Sequence, residues 1–329
     1  MREIILNFPK QFRVGIKTGK TIKLKIRPQK ICICGIGGSA LPANLLSMII
    51  GEYKLNIPLI IQRDYLLPAS VNKKTLLICI SYSGNTEETI SCLKEGLKRN
   101  LKIVLISSDG KLENFAKKYN LPIAFVPKGY PPRMALGYLF GALVGILNNL
   151  NLVPNSLIKN LRNLDKKLNP PKLEKEGKIL AKKLQGKIPL IYASNRFKYL
   201  ARIWKIKFNE NTKIPAFWNY FPELNHNEMT GFENISNLKS QISNLIYLII
   251  LQDRSDHQRN KKRMELTLKV LKKRGIKGEI IKLTGKTFLE KLFNSIILSD
   301  WVSFYLAKYY GIDPIPVKMV EEFKKLMKE

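Results

Sequence analysis

Two apolar segments in the first half of the chain each run straight into a turn of small residues and then into a helix-forming stretch. Residues 31–34 lead into Gly-Ile-Gly-Gly-Ser at 35–39, and residues 75–80 lead into Ser-Tyr-Ser-Gly-Asn-Thr-Glu-Glu-Thr at 81–89. A buried strand followed by a tight turn and a helix is the repeating unit of a parallel α/β sheet. Both turns are therefore predicted to lie at the carboxyl edge of one sheet, where ligands of such sheets bind.

The turn at 81–89 has the composition of an anion site. The first N–H groups of a helix have no partner inside the helix, and the helix dipole places partial positive charge there. Serine and threonine hydroxyls add further donors, so phosphate is the predicted guest. The glycines at 35–39 allow close approach of the backbone to a ligand. This turn lacks the third glycine and the following acidic residue of a dinucleotide-binding fingerprint.

Strand and helix patterns alternate along most of the chain. Further strands are predicted at 57–61, 102–107, 123–126, 188–193, 245–251 and 279–283, and helices at 41–50, 86–99, 111–119, 134–150, 173–184, 197–209, 257–274 and 287–310. The second half thus repeats the pattern of the first, which predicts two doubly wound parallel sheets. We expect a first domain at 1–150, a polar linker at 151–186, and a second domain with a C-terminal helix at 187–329.

Composition limits the class of protein. A chain of 329 residues with 45% apolar residues has material for two folded domains. Its N-terminus lacks a secretory signal pattern, and no apolar run reaches membrane-spanning length, so we expect a cytoplasmic protein without a membrane partner. The cysteines at 32, 34, 79 and 92 fall mostly in apolar runs, which indicates buried side chains. With His226 and His257 as the only histidines, we expect no metal site.

The formal net charge of +32 raises the question of nucleic-acid binding. The lysines are spread through nearly every segment, and no recognition element accompanies them. A general lysine bias is the preferred explanation, so no nucleic-acid partner is expected. A positive field would still attract a small anionic substrate.

Three further stretches contain residues suited to chemistry. Arg133 follows two prolines at a helix start near the predicted ligand edge, where it is equally compatible with a solvated charge. Residues 209–211 read Asn-Glu-Asn at a helix end, and residues 223–228 read Glu-Leu-Asn-His-Asn-Glu in a region predicted to be irregular. A lone Glu or His is usually exposed or structural. Together with a phosphate site, Glu210 and His226 would supply a carboxylate base and an imidazole for proton transfer.

These motifs, in this order, resemble the bifunctional phosphoglucose/phosphomannose isomerases of the phosphoglucose isomerase superfamily, which are built from two sugar-isomerase (SIS) domains. The resemblance extends over the whole chain and includes Pro132-Arg133, the run Asp-His-Gln-Arg at 256–259 and a lysine-bearing C-terminal helix. Glycine-serine and Ser-x-Ser-Gly-x-Thr turns are common to all SIS domains. The Asn-Glu-Asn and Glu-Leu-Asn-His-Asn-Glu stretches are the specific part.

The resemblance implies two three-layer αβα domains, each with a mainly parallel sheet flanked by helices. It implies an aldose–ketose isomerase that interconverts glucose 6-phosphate, and also mannose 6-phosphate, with fructose 6-phosphate through a cis-enediol(ate). The substrate-binding residues it implies are Gly37, Gly38, Ser39, Ser81, Ser83 and Thr86. The implied catalytic residues are Glu210 as the base, Arg133 as the cation that stabilises the enediolate, His226 for ring opening, and Lys324 as its assistant.

In this superfamily the histidine comes from the neighbouring subunit, so the resemblance also implies a homodimer with shared active sites. Such an isomerisation needs no cofactor and no metal if a carboxylate moves the proton and a cation faces the developing charge. The family pattern for the lysine falls on Lys324, although Lys325 stands beside it and Lys318 is close. The stretch Ile206-Lys207-Phe208 precedes Glu210 in a place where the family often has a glutamine, a departure that concerns the polarity around Glu210 more than the reaction.

Other functions were weighed against this one. A non-catalytic SIS-type regulator that binds sugar phosphates would need only the first half of the chain. Such regulators usually add a DNA-binding module, for which we expect no room because the first predicted strand begins near residue 31. An aminosugar-phosphate synthase would need a glutaminase domain with an N-terminal cysteine, and the chain opens with Met1 and Arg2. A nucleic-acid binder comes third.

Overall fold

The computed structural model describes residues 1–235 and 241–327, and the chain divides into two compact units. The first unit is Asn7–Leu168, and the second unit is Asn169–Glu329 together with Met1–Leu6. The division falls inside residues 151–186, the stretch expected to link two domains, and this stretch contains three helices. Across the described ranges, no helix combines the length and the apolar character that crossing a membrane requires.

The elements of the first unit follow the predicted alternation, with helices added at both ends. In chain order they are α1 (Arg2–Gly19), β1 (Lys30–Cys34), α2 (Leu41–Glu52), β2 (Leu59–Gln62), β3 (Thr75–Ile80), α3 (Glu87–Lys98), β4 (Lys102–Ser107), α4 (Lys111–Tyr119), β5 (Ile123–Phe125), α5 (Leu136–Asn149), α6 (Asn155–Arg162) and α7 (Leu164–Lys167). The predicted strands at 75–80 and 102–107 match β3 and β4 in both bounds.

The five strands form one parallel sheet in the order β2-β1-β3-β4-β5. The chain leaves β1 toward β2 on one side and then crosses to β3 on the other side, so the strand order reverses between β1 and β3. In doubly wound sheets the ligand site lies at the carboxyl ends of the strands where the order reverses. The two predicted turns follow these two strands, so both stand at that point.

Apolar side chains cover both faces of this sheet. One face packs Leu77 and Leu105 against α3 and α4, and this core also holds the four cysteines. All four cysteines are free and buried, as the apolar runs around them predicted. A sheet covered on both faces by helices agrees with the expected three-layer architecture.

Helix α1 was not predicted from the sequence. Two of its glycines allow it to pack closely against α5. A Cβ atom at Gly15 would stand 2.2 Å from the Tyr138 carbonyl oxygen, and one at Gly19 would stand 2.1 Å from that of Ala142. Glycines at these two positions therefore allow a backbone approach that any other residue would prevent.

The second unit repeats the same architecture with one strand fewer. Its elements are α8 (Pro170–Lys183), β6 (Ile188–Ser194), α9 (Lys198–Lys207), β7 (Phe217–Phe221), α10 (Gln241–Leu245), β8 (Ile246–Gln252), α11 (Gln258–Lys273), β9 (Lys277–Lys282), α12 (Phe288–Tyr309) and α13 (Lys318–Leu326). Its four strands are parallel, in the order β7-β6-β8-β9. The first, second, third and fourth strands of each unit therefore occupy the same places.

Apolar side chains from β6 and β8 meet α11 on one face of the second sheet, including Leu190, Leu248 and Met264. Helices α8, α9 and α12 pack together as a further layer. The predicted fold class, with two α/β domains and a parallel sheet in each, is confirmed. One strand was missed: β7 lies in a region for which no strand was predicted.

Candidate functional site

The glycine turn after β1 lies against the segment that carries Arg133. Gly37 has a φ of +55°, a conformation that glycine adopts without strain. A Cβ atom on Gly38 would stand 2.6 Å from the backbone nitrogen of Arg133 and 2.8 Å from the carbonyl carbon of Pro132. The absence of a side chain at Gly38 is therefore what brings these two turns together.

The serine turn after β3 is organised by its own hydroxyl groups. Ser81 is fully buried, and its Oγ lies 2.8 Å from the Oγ1 of Thr86. Exposed Ser83 accepts a hydrogen bond from the N–H of Asn85 at 3.3 Å. Gly84, with a φ of +69°, closes the turn so tightly that a Cβ atom would stand 1.6 Å from the Asp109 carbonyl oxygen. The turn thus holds three hydroxyls in a fixed arrangement.

Thr86 is the N-cap residue of α3, but its side chain makes no capping hydrogen bond to the helix. It instead meets Ser81, so the first N–H groups of α3 receive no bond from the residue that normally satisfies them. Uncapped N–H groups and nearby hydroxyls are the donors that a phosphate accepts from. This end of α3 is therefore suited to bind an anion.

Tyr82 ties the serine turn to its surroundings. Its N–H donates to Ser39 Oγ at 3.0 Å, and its carbonyl accepts a hydrogen bond from Ser108 Oγ at 2.6 Å. Its hydroxyl donates to the Pro127 carbonyl at 2.8 Å and accepts from the Tyr130 N–H at 2.9 Å. Burial raises the pKa of Tyr82, so the hydroxyl keeps its proton. The Tyr82 N–H thus joins the two predicted turns directly.

Arg133 sits in a single 3₁₀ turn, Pro132–Met134, and only 1% of its surface is exposed. Buried Gln11 of α1 holds this turn and the start of α5: its Nε2 donates to the Met134 carbonyl at 2.8 Å, and its Oε1 accepts from the Gly137 N–H at 3.0 Å. Gln11 was not among the predicted site residues. A polar residue between the apolar positions of an amphipathic helix was its only signal in the sequence.

Glu210 lies in a single π-helical turn, Phe208–Thr212, directly after α9. π-turns are rare and are frequent at functional sites. Asn211 Nδ2 donates to Ser303 Oγ at 2.9 Å, and Thr212 Oγ1 donates to the Ser303 carbonyl at 3.1 Å. Buried Asn211 and Thr212 anchor the turn on α12, while the side chain of Glu210 remains half-buried.

A buried ion pair supports the start of this turn. Lys207 Nζ lies 2.8 Å from Asp300 Oδ1, with 1% and 2% of the two side chains exposed. Lys207 belongs to the stretch 206–208 that precedes Glu210, so this ion pair places two charged groups below the turn. Asp300 was not predicted as part of the site. Its signal was an acidic residue in the otherwise apolar stretch of α12.

His226 is exposed at the end of a short 3₁₀ turn, Glu223–His226, after β7. The loop is fastened to the sheet by Glu228, which accepts hydrogen bonds from the Tyr192 hydroxyl on β6 and from Asn219 Nδ2 on β7. Asn225 Nδ2 donates to Thr267 Oγ1 on α11 at 2.9 Å. These neighbours fix the loop and leave the imidazole toward solvent.

Lys324 lies on α13, where it pairs with Glu321 at 2.8 Å, and both side chains are largely exposed. Lys325 and Lys318 are exposed on the same helix. The structure thus brings the six predicted binding residues and Arg133 together in the first unit. Glu210, His226 and Lys324 lie on three different elements of the second unit. Within the described ranges, no three His, Cys, Asp or Glu side chains are grouped as metal ligands.

Comparison with known proteins gives three informative matches. The family model for the bacterial phospho-glucose isomerase C-terminal SIS domain matches residues 173–327. The bifunctional phosphoglucose/phosphomannose isomerase of Caldicellulosiruptor bescii is 38% identical over 100% of this chain and 99% of its own. The protein of the same name from Aquifex aeolicus is 37% identical over 91% of this chain and 90% of its own.

Among solved structures, the C-terminal domain of glucosamine-fructose-6-phosphate aminotransferase from Francisella tularensis superposes with a TM-score of 0.76. It covers 96% of this chain and 98% of its own, at 17% sequence identity. At that identity the likeness concerns the fold alone, and it agrees with the two parallel sheets described above.

Proposed function

The chain belongs to the family of bifunctional phosphoglucose/phosphomannose isomerases, and on that premise we propose that it interconverts glucose 6-phosphate, and also mannose 6-phosphate, with fructose 6-phosphate. The observation that carries this proposal is the hydroxyl-lined turn of Ser81, Ser83 and Thr86 at the amino end of α3, which is joined to the glycine turn that packs against Arg133. An anion site next to a buried cation suits a sugar phosphate that becomes negatively charged during reaction.

In the proposed complex the substrate phosphate is bound by Ser81, Ser83 and Thr86 with the N–H groups of the same turn. The sugar lies along Gly37, Gly38 and Ser39. Fixing the phosphate end positions carbons 1 and 2 for reaction, since holding reactants in place accounts for much of an enzyme's rate.

The proposed chemistry is a proton transfer between neighbouring carbons. Glu210 removes the proton from C2 of the open-chain aldose, which gives a cis-enediol(ate), and then returns the proton to C1 to give the ketose. Arg133 stabilises the negative oxygen that develops between the two transfers, a role suited to a guanidinium because it stays charged. The hydroxyl proton of O2 passes to O1 in the same conversion, so the atoms balance and the reaction is redox-neutral. We therefore propose no cofactor and no metal.

Ring opening must come before the proton transfer. We assign it to His226, assisted by Lys324, with Lys325 as the nearest substitute. An imidazole is suited to this step because its ordinary pKa lies near neutrality. Because His226 is exposed, it is available to a neighbouring subunit, which supports a homodimer with shared active sites. We place this enzyme in the cytoplasm, serving glycolysis and gluconeogenesis, without a nucleic-acid partner.

The non-catalytic regulator is the weaker hypothesis. The relatives that cover nearly the whole chain carry the names of enzymes, and the match includes the second unit, which a simple sugar-phosphate sensor would not need.

The direct test is turnover. Purified protein should interconvert glucose 6-phosphate and fructose 6-phosphate in the presence of EDTA, and mannose 6-phosphate should be tested alongside. Glu210→Gln should reduce kcat by more than about a thousandfold while a phosphorylated sugar acid still binds. Glu233→Gln, at an exposed position in the same unit, is the matched control and should retain activity. A fully active Glu210→Gln enzyme would refute its role as the base.

A mixing experiment tests the shared site. Inactive His226→Ala and Glu210→Gln proteins are combined under conditions where subunit exchange is verified by mass spectrometry. If a site draws its histidine from the neighbour, some mixed dimers regain one complete site and activity returns. If activity does not return although subunit exchange is verified, the histidine is not shared between subunits. The isomerase assignment itself would then still be decided by the turnover assay.

A further inference from the structure

A surface cavity lined mainly by polar side chains lies in the second unit, at the carboxyl ends of β8 and β9. It has a volume of about 820 Å³ and lies beside the first turns of α11. Its lining includes five cationic side chains, from Arg254, Arg259, Lys261, Lys262 and Lys282. We call it the basic cavity. None of the roles proposed above falls on these residues, although Arg259 belongs to the motif at 256–259.

The five cations lack acidic partners. Among the residues that the structure describes, none of the five forms an ion pair. Glu265 is the one acidic residue in the lining, so positive charge prevails. Like charges gathered without counter-charges repel one another, and an anionic ligand would relieve that repulsion.

Two of the cations are held in place by the protein. Lys282 donates to the Oε1 of Gln252, a side chain of which only 1% is exposed, and Lys261 donates to the Arg254 carbonyl at 3.0 Å. Gln252 is itself fixed, because its carbonyl accepts a hydrogen bond from the Leu283 N–H at 2.9 Å. A floor ordered in this way reduces the entropy that ligand binding must overcome.

The two acidic residues of the turn after β8 are bound by side chains that do not line the cavity. Asp253 accepts from Lys291 at 2.5 Å and from Arg196 at 3.0 Å, and Asp256 accepts from Ser194 at 2.6 Å. Both carboxylates are buried. The turn therefore directs its acidic groups inward and contributes Arg254 to the cavity.

We propose that the basic cavity binds a small ligand with at least two linked phosphate groups, such as pyrophosphate or the polyphosphate chain of a nucleotide. A single phosphate would meet only part of a five-cation lining, whereas linked phosphates can engage the two arginines and the lysines together. Five cations gathered around one surface cavity favour a small molecule over a nucleic acid, which needs an extended positive surface.

The experiment titrates pyrophosphate into the full-length protein by calorimetry, with the substrate site saturated by fructose 6-phosphate, at constant ionic strength and without divalent cations. We expect one pyrophosphate bound per chain in this cavity, and orthophosphate bound at least about tenfold more weakly. The double substitution Arg254→Gln and Arg259→Gln should weaken pyrophosphate binding by at least about tenfold. The isomerase kcat/KM of that variant should stay within about twofold of the original protein.

The matched control is Lys269→Gln with Lys272→Gln, which removes the same charge from exposed positions on α11 outside the cavity. It should change pyrophosphate affinity by less than about twofold, since these two lysines do not line the cavity and salt screens charges that lie at a distance. Equal weakening by both variants, orthophosphate binding as tightly as pyrophosphate, or no binding would overturn the proposal. Two further results would overturn it. One is binding of a short RNA that requires the two arginines, while pyrophosphate does not bind. The other is a variant that loses isomerase activity to the same extent as pyrophosphate affinity.

Discussion

The two sheets share a strand order, but the edges where that order reverses differ in chemistry: one carries hydroxyl and N–H donors, and the other carries carboxylates. In the first unit β3 is followed by Ser81, and the turn that begins there presents hydroxyls and uncapped N–H groups. In the second unit β8 is followed at the same place by Asp253, and Asp256 lies three residues on. We call these the open edge and the filled edge.

At the filled edge the protein supplies its own anions. Asp253 takes hydrogen bonds from Lys291, Arg196 and Ser255, and its N–H donates to Asp256 at 2.9 Å. These donors would otherwise suit a phosphate. The comparison teaches that the fold provides a polar edge at each reversal. The residue that follows the strand decides whether the donors of that edge are left unpaired or are satisfied by the protein's own carboxylates.

The sharpest way to break this comparison is to place a carboxylate at the open edge. Thr86→Asp should lower kcat/KM by at least about a hundredfold, because its charge repels the substrate phosphate. Aspartate is a favoured N-cap, so the melting temperature should hold or rise. Steady-state kinetics and thermal unfolding measure the two effects.

Thr86→Asn is the matched control, since asparagine caps as well as aspartate without the charge. It should keep most of the activity. Equal kcat/KM in the Asp variant and the original protein would show that no anion is held at this edge.

The next largest effect is expected at the filled edge. Lys291→Met leaves the buried Asp253 with fewer donors and should reduce the free energy of unfolding by about 3 kcal/mol. KM for the sugar phosphate should be unchanged. Urea denaturation of this variant is compared with Lys277→Met, at an exposed position on β9. If the Lys291→Met variant kept its stability but lost affinity for the sugar phosphate, the proposed difference between the two edges would be wrong.

A pair of serine substitutions gives a smaller and more direct contrast. Ser83→Ala at the open edge should raise KM about fivefold and change stability by less than about 0.5 kcal/mol. Ser194→Ala at the filled edge removes the donor to buried Asp256 and should cost about 1–2 kcal/mol of stability with KM unchanged. Steady-state kinetics and urea unfolding are measured on both variants. A loss of stability in Ser83→Ala together with a raised KM in Ser194→Ala would contradict the proposed difference between the edges.

The smallest effects concern pH. Burial raises the pKa of Asp253, but hydrogen bonds from Lys291 and Ser255 outweigh burial and leave the pKa below its ordinary value. Burial raises the pKa of Asp256 despite the bond from Ser194. Asp253 therefore stabilises the fold above its unfolded pKa of about 4, and this stability is lost as pH falls through the folded pKa. Asp256 contributes in the opposite sense, since its stabilising effect is lost as pH rises through its folded pKa.

Urea unfolding of Asp253→Asn and Asp256→Asn between pH 3 and pH 7 tests these signs. The stability difference from the original protein should shrink toward acid for Asp253→Asn. For Asp256→Asn, the advantage of the original carboxyl should shrink toward neutral pH. Parallel trends in the two variants would argue against separate environments for the two carboxyls.

The strands and the open edge could be predicted from the sequence because their signals are local. Strand β3 and the turn of Ser81 and Thr86 form one continuous motif, and the buried strand before it is a plain apolar run. The supports of the site are different in kind. Gln11 reaches Met134 across 123 residues, and Lys207 finds Asp300 only once α9 and α12 are packed. Such pairs depend on tertiary structure, which periodicity does not reveal.

Two missed elements have physical reasons of their own. Helix α1 contains Pro9 and Gly15 in its interior, residues that usually argue against a helix, and its stability comes from buried apolar positions such as Phe12. Strand β7 is an edge strand with only one buried residue, so it lacks the apolar run of the central strands. Its aromatic residues were a usable signal.

The membership of α1 in both units sets an order of assembly during synthesis. Residues Met1–Leu6 leave the ribosome before the first unit, yet they belong with residues 169–329, which follow that unit. Arg2 forms two hydrogen bonds with Glu174 on α8 at 2.9 and 3.0 Å and lies over the Trp301 ring on α12. Because domains tend to fold as they emerge, the first unit can form early on the ribosome. The first turn of α1 must then wait for Glu174 and Trp301, which are made after the first unit.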